Sequence, residues 1–276
     1  MSTKLNSRQK SDAIQRNQPQ KGIEWLARNN GWLVLVSLIF GLAAWALIVA
    51  ITQMPAFLLP SPEGVWNKFL STLMDGTLIS NALVTLNEVV IGLFLGSTVA
   101  MSLGYLLAKS RLMEKLLSPY LVASQAIPVV AIAPLLVIWF GPGIFSKILI
   151  CSLTVFFPVL VNTMIGFRAV PENLRDLMRS LRATRWQKLR LLEIPAALPV
   201  LFGGLRIGAT LSVIGAVVGE FVGSDRGLGF LINVGRGQFD TALVFVAIFT
   251  LILMALLLYG AAMLAEKHST RWKAER

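Results

Sequence analysis

Residues 32–51, "WLVLVSLIFGLAAWALIVAI", run for twenty positions without a charge. A helix rises about 1.5 Å per residue, so about twenty apolar residues cross the hydrocarbon of a bilayer. In lipid every backbone N–H and C=O must be paired inside the chain, which leaves helices and closed barrels as the only spanning structures. Runs this long and continuously apolar select the helix.

The feature recurs five times. Asn81–Ala108 is a second run, interrupted by Glu88, and Leu116–Phe140 is a third. Gly141-Pro142-Gly143 separates it from a fourth, Ile148–Phe167. Ala196–Val218 is a fifth, interrupted by Arg206, and Thr241–Ala265 is a sixth. Only 14% of the residues are charged, against about 25% in soluble domains. The expected fold is an all-α membrane protein of six transmembrane helices. Its six-span domain is expected over 32–266, between a basic, mostly disordered tail at 1–31 and a short tail at 267–276. The first apolar run begins only at Trp32, too far along for a secretory leader, so none is expected.

The formal charge of +11 would suit a nucleic-acid binder if it lay on one face. It does not. With the N-terminus inside, twenty Lys and Arg fall in the inner segments: the two tails and the loops 108–118 and 167–195. Lys68, Lys147, Arg226 and Arg236 are the four outside. Positive residues mark the cytoplasmic side, so both termini are expected there, with the chain multi-pass in its membrane. Nucleic acid is excluded as a partner.

Two outer segments carry structure of their own. Ser61 caps, and Pro62 opens, a helix whose apolar residues Val65, Trp66, Phe69, Leu70, Leu73 and Met74 share one face; Asp75-Gly76 ends it. This predicts an outer amphipathic helix. The glycine-rich "GEFVGSDRGLGFLINVGRGQFDT" predicts a short helix or re-entrant element between spans five and six. Gly92, Gly96, Ala100 and Gly104 recur every four residues in span two, as do Gly204, Gly208, Ser212 and Ala216 in span five. Such stripes let helix backbones approach closely in lipid.

Catalytic chemistry has little to stand on. One cysteine, Cys151, and one histidine, His268, allow no cysteine cluster, no histidine metal site and no H-E-x-x-H motif. No Gly-Lys dipeptide occurs, so no Walker A loop exists on this chain. If the protein uses ATP, another chain hydrolyses it.

The loop 168–195 reads as two helical pieces. Pro171 opens "ENLRDLMRSLRAT", in which Arg175, Arg179 and Arg182 share one face, and Leu174, Leu177, Met178 and Leu181 the other. Thr184 caps "RWQKLRLLEI", and Pro195 leads into span five. The loop resembles the cytoplasmic loop in the membrane subunits of bacterial ATP-binding-cassette importers. That family's motif is E-A-A, three residues, G, nine residues, then I-x-L-P. Here Asp176-Leu177-Met178, Arg182 and Leu192-Glu193-Ile194-Pro195 keep the spacing, with Asp for Glu, larger residues for the alanines and Arg182 for glycine. "LLPSPEGVW" after span one and "GLRIGATLSVIGAVVGEFVGSDRGLGFLI" across span five also resemble the family. They are most similar to its branch importing nitrate, sulfonates, taurine and pyrimidine or flavin precursors.

The resemblance implies a permease subunit of the bacterial plasma (inner) membrane, not an enzyme, acting as a homodimer. A separate ATP-binding subunit would hold ATP and Mg2+, and an extracytoplasmic substrate-binding protein would deliver a small solute. It implies ATPase coupling through Asp176, Leu177, Met178, Leu181, Arg182, Ala183, Leu192, Ile194 and Pro195. The family glycine permits a turn between the loop helices. With arginine there, the break is expected to shift to Ala183-Thr184. The alternative is a stand-alone channel or secondary transporter whose basic loop only sets topology.

Ionisable residues within spans or at their ends are functional candidates with partners. Glu88, Arg206 and Glu220 are therefore candidates for the translocation path, each with structural pairing as the competing role. Ser124, Gln125 and Asn162 are weaker path candidates, since a polar residue in a span often bonds a neighbouring helix. Cys151 reads as ordinary packing.

Overall fold

The structure, a computed structural model, describes residues 31–270. Of the two tails expected to be cytoplasmic, residues 1–30 and 271–276 lie outside the described residues. The described chain forms helices and connecting turns, with no strand among the described residues. Five helices are long and apolar enough to cross a membrane, and a sixth span results if one bent pair counts as a single crossing.

The chain divides at residue 55 into two units. The first is helix α1, Gly31–Thr52, whose most apolar stretch buries no residue. It is hydrophobic all round, as a lipid-facing span must be. The second unit holds everything else.

Helix α2, Pro62–Met74, opens as its sequence predicts: the Ser61 hydroxyl accepts the Gly64 N–H at 3.1 Å and Pro62 fills the first turn. Its buried face is narrower than the pattern suggests. Val65 and Thr72 are buried, whereas Trp66 and Met74 are exposed. Gly76, at φ 78°, turns the chain into α3, Thr77–Lys109. There the Asp75 carboxylate accepts the Thr77 N–H at 2.8 Å, which holds its pKa below the ordinary carboxylate value.

The third span is not the continuous helix expected over 116–140. It is two helices, α4 (Arg111–Gln125) and α5 (Val129–Phe140), bent by 92° across three residues. Pro128 has no N–H to donate and disfavours helical backbone at Ile127. Its apolar flanks hide the break from a hydropathy reading. Gly141, at φ 82°, then leads into α6, Ile144–Arg168.

Helix α6 is the centre of the second unit. It packs between α3 and α9, Ile194–Gly223, and both small-residue stripes face it. A Cβ on Gly92 would lie 2.3 Å from Cys151 Cβ, and one on Gly96 would lie 2.6 Å from the Ser152 carbonyl oxygen. On the other side, a Cβ on Gly204 would meet Asn162 Cβ at 2.7 Å, and one on Gly215 would meet Cys151 Cα at 2.9 Å. The stripes are thus contact faces between helices. Val155, Val159 and Leu160 of α6 form the core with Ala100 and Leu107 of α3.

After α6 come α7 (Glu172–Ser180), α8 (Arg185–Lys188) and a widened π-helical turn, Leu189–Glu193, that runs directly into α9. Pro195 would clash with the carbonyl four residues before it. The wider turn relieves this by pairing the Ile194 N–H with the Leu189 carbonyl instead. A short helix, α10 (Leu228–Gly237), and α11 (Thr241–Ser269) complete the chain. Helix α11 packs on α9, α10 and α2, and Lys68 of α2 pairs with Asp240 at its start.

Candidate functional site

Three polar regions lie along the α3–α6–α9 core: one at each end and one at mid-depth.

At the end carrying the 168–195 loop, α7 stands clear of the bundle with no buried residue. Asp176 is exposed and accepts from Arg179 at 2.8 Å. Leu177 and Leu181 are 54% and 67% exposed, and Trp186 on α8 is 66% exposed. Met178, Ala183 and Leu192 are half-buried, Ile194 is partly exposed, and Pro195 sits in the first turn of α9.

The break between the loop helices does not shift away from the glycine position. Arg182 itself is left-handed, at φ 52°. Its N–H bonds the Arg179 carbonyl at 2.9 Å, and the Ala183 N–H bonds the Met178 carbonyl at 3.0 Å. This pair of bonds is the Schellman ending, usually built on glycine. The left-handed arginine costs about 1–2 kcal/mol, which the two recovered bonds offset. Moving the break would also undo the Thr184–Gln187 capping box, where both reciprocal bonds are made.

The loop is fixed to the bundle by groups the sequence did not single out. Glu193 is buried and pairs with Lys109 at the end of α3. Its second oxygen has no hydrogen-bond partner. Arg175 donates to the Phe167 carbonyl at 2.7 Å, and Arg168 pairs with Glu114. A carboxylate in "LLEIP", at the head of a span, was the available signal for Glu193.

At the opposite end, Glu88, Lys147 and Glu220 are all buried, and Glu88 pairs with Lys147. Lys147 Nζ lies 3.4 Å from Glu88 Oε1 and donates to Ser224 Oγ at 2.6 Å. Thr85 donates to Glu220 Oε1 at 2.7 Å and accepts the Leu228 N–H at 2.8 Å. The Gly229 N–H donates to Glu220 Oε2, and the Gly227 N–H to Asn81 Oδ1 at 2.7 Å. A carboxylate from α9 therefore caps the start of α10, where the helix dipole favours negative charge. Two carboxylates thus face one ammonium and one helix N-terminus.

The glycines of "RGLG" are required here. Gly227 has φ 109°, and a Cβ on it would lie 2.1 Å from Glu220 Oε1. Lys147, which the sequence reading counted only as an outer-loop charge, is the cation of the cluster. Glu88 and Glu220 face this network and neither lines the mid-depth cavity. Arg206 pairs with Glu266 of α11 at 3.2 Å.

At mid-depth, Ser124, Gln125 and Asn162 line one cavity of about 460 Å³ with Thr154, Phe157 and Leu211. It lies between the α4–α5 break, the middle of α6 and α9. The three weaker path candidates therefore come together, while the three charged ones sit elsewhere. No group of His, Cys, Asp and Glu able to hold a metal occurs among the described residues.

Comparison with known proteins bears on what this architecture is for. The family described as "binding-protein-dependent transport system inner membrane component" matches residues 92–271. The chain is 48% identical over 239 residues to the riboflavin transport system permease protein RibX of Chloroflexus aurantiacus, covering 87% of this chain and 89% of that protein. It is 36% identical to the formylaminopyrimidine transport permease protein ThiX of Halalkalibacterium halodurans, over 80% of this chain and 88% of that one. Among solved structures, a chain of the MetNI methionine ABC transporter in inward-facing conformations matches with a TM-score of 0.63 at 20% identity, over 71% of this chain and 98% of that chain. At that identity the likeness carries the fold.

Proposed function

The chain belongs to the binding-protein-dependent transport system inner membrane components, the non-catalytic permease subunits of ABC importers, and from that premise we propose how it is coupled and what it carries. Its ATPase partner docks on the 172–195 loop, which faces the cytoplasm together with both chain termini. ATP and Mg2+ are held on that partner. A second copy of this chain completes the pathway, and a substrate-binding protein delivers solute at the end carrying the Glu88–Lys147–Glu220 cluster.

The observation that carries this reading is the bare apolar face of the loop. Leu177, Leu181 and Trp186 are more than half exposed, on elements outside the five apolar spans except where α8 leads into α9. An amphipathic helix with uncovered leucines is the form that seats in a partner's groove. Beside it, Lys109, Arg175, Arg179 and Lys188 line a basic cavity with Glu193, suited to an acidic rim. A short rigid helix held in a groove transmits rigid-body motion, so closure of paired ATPases would rock the spans between two states.

The solute belongs to the flavin or pyrimidine type. The relatives that are 48% and 36% identical are named for riboflavin and formylaminopyrimidine, whereas one named for aliphatic sulfonates is 29% identical.

The test is co-purification. Each buried leucine is worth about 1.5–3 kcal/mol, so Leu181→Glu should weaken ATPase association at least tenfold. Retention of the ATPase by a Leu177→Glu, Leu181→Glu double variant would overturn the docking assignment.

A further inference from the structure

We propose that the mid-depth cavity is a solute-contact site on this chain, shaped for an uncharged, flat heteroaromatic ring with a hydrogen-bonding edge. The proposal rests on the permease reading above and adds a site and a recognition chemistry to it.

The backbone first points to this place. A helix broken at membrane depth leaves polar main-chain groups unpaired, which is tolerated where they line a cavity. The 92° break between α4 and α5 lies here, and Ile127 at the break lines the cavity. Across from it, Pro158 lies inside the continuous helix α6. Proline has no N–H, so the Thr154 carbonyl lacks its usual helical donor. A broken helix pair and a helix with one missing backbone bond thus face one space near the middle of the spans, where binding sites of transporters gather.

The side chains then state what fits. Gln125 makes no hydrogen bond within the described residues, so its whole amide is available. Asn162 spends one N–H on the Pro158 carbonyl at 2.8 Å, keeping its other N–H and its oxygen. Ser124 and Thr154 donate their protons to the Leu121 carbonyl at 3.0 Å and the Ile150 carbonyl at 2.7 Å. They therefore offer lone pairs only. Two amides, each pairing one donor with one acceptor, match an imide edge of alternating C=O and N–H. Phe157 supplies an aromatic surface for stacking. A volume of about 460 Å³ is within the usual range for small-molecule sites.

Charge decides against the anionic solutes. Among the described residues lining the cavity, none is charged. Arg206 is committed to Glu266, Lys147 to Glu88, and the other basic cluster lies at the loop end. A sulfonate or nitrate would lose its hydration here without a counter-charge. A neutral ring would not.

The experiment uses the assembled transporter, this chain with its ATPase and binding protein, in proteoliposomes. Riboflavin is the neutral probe and taurine the charged one. Asn162→Ala, Gln125→Ala and Phe157→Leu should each lower riboflavin uptake about tenfold, while ATPase co-purification and binding-protein-stimulated ATP hydrolysis persist. Phe157→Tyr should stay within about twofold of the parent, because the ring remains. Riboflavin fluorescence should be quenched by the permease–ATPase complex without binding protein, and Phe157→Leu should abolish that quenching. Uptake within twofold of the parent in all three variants would overturn the site. Taurine uptake with no riboflavin uptake by the parent would overturn the solute class while leaving the permease reading intact. Failure to assemble with an ATPase would instead sink the permease reading itself.

Discussion

Both ends of the α3–α6–α9 core carry a glutamate–lysine pair between distant helices, and the two pairs are built differently. At the far end, the side chains of Glu88 and Lys147 are 1% and 6% exposed. At the loop end, Glu193 is 6% exposed but Lys109 is 47% exposed. Burying both charges makes a junction that is expensive to open, since either ion alone would be stranded in a low-dielectric interior. Leaving one ion in water makes a junction that can be remade at small cost. The backbone follows the same division. The far end turns on glycines packed against Glu220, whereas the loop end is assembled from a nine-residue helix, a left-handed arginine, a four-residue helix and a widened turn. One end holds the spans together, and the other is the end proposed to seat a partner.

Substitutions can break that contrast. The largest effect belongs to Lys147→Met, which leaves the buried Glu88 carboxylate without its cation, and should destabilise the protein by about 3–5 kcal/mol. Adding Glu88→Met should restore a good part of this, because the pair is then replaced by apolar bulk. Thermal unfolding of the three variants checks both statements, and simple additivity would argue against a coupled pair. Gly227→Ala comes next. It combines an unfavourable φ with a Cβ 2.1 Å from a buried carboxylate oxygen, and should cost about 2–3 kcal/mol. At the loop end, Lys109→Met should cost only about 1–2 kcal/mol, the loss of a half-solvated partner for Glu193. If Lys109→Met matched Lys147→Met in melting temperature, the two ends would not differ as described. The smallest effect has the opposite sign: Arg182→Gly should stabilise the isolated permease by about 1 kcal/mol, by relieving a left-handed side chain.

Much of this architecture is legible in the amino-acid order because lipid is a simple solvent. Apolar runs and small-residue stripes depend on local spacing, and the stripes of α3 and α9 meet α6 as their periodicity requires. The capped start of α2 and the Thr184 cap are legible for the same reason. What escapes is what depends on distance or compensation. Thr85 and Glu220 are 135 positions apart, and nothing local in either brings Lys147 to Glu88 and Ser224. The turn at Arg182 was misplaced because propensity prices the arginine alone, whereas two carbonyl bonds and the downstream capping box hold it in place. The break at Pro128 was missed because a proline among apolar residues leaves hydropathy unchanged. Ser124, Gln125 and Asn162 stood out singly as polar residues in spans; that they share one cavity follows from that break.

The most direct measurement of the central claim is ATP-dependent accumulation. Purified chain, alone or with its ATPase and binding protein, would be reconstituted into proteoliposomes and riboflavin followed over time. The account predicts accumulation against a gradient only with all components and ATP, and none when Leu181→Glu replaces the parent. Equilibrating flux by the chain alone, unaffected by that substitution, would contradict it.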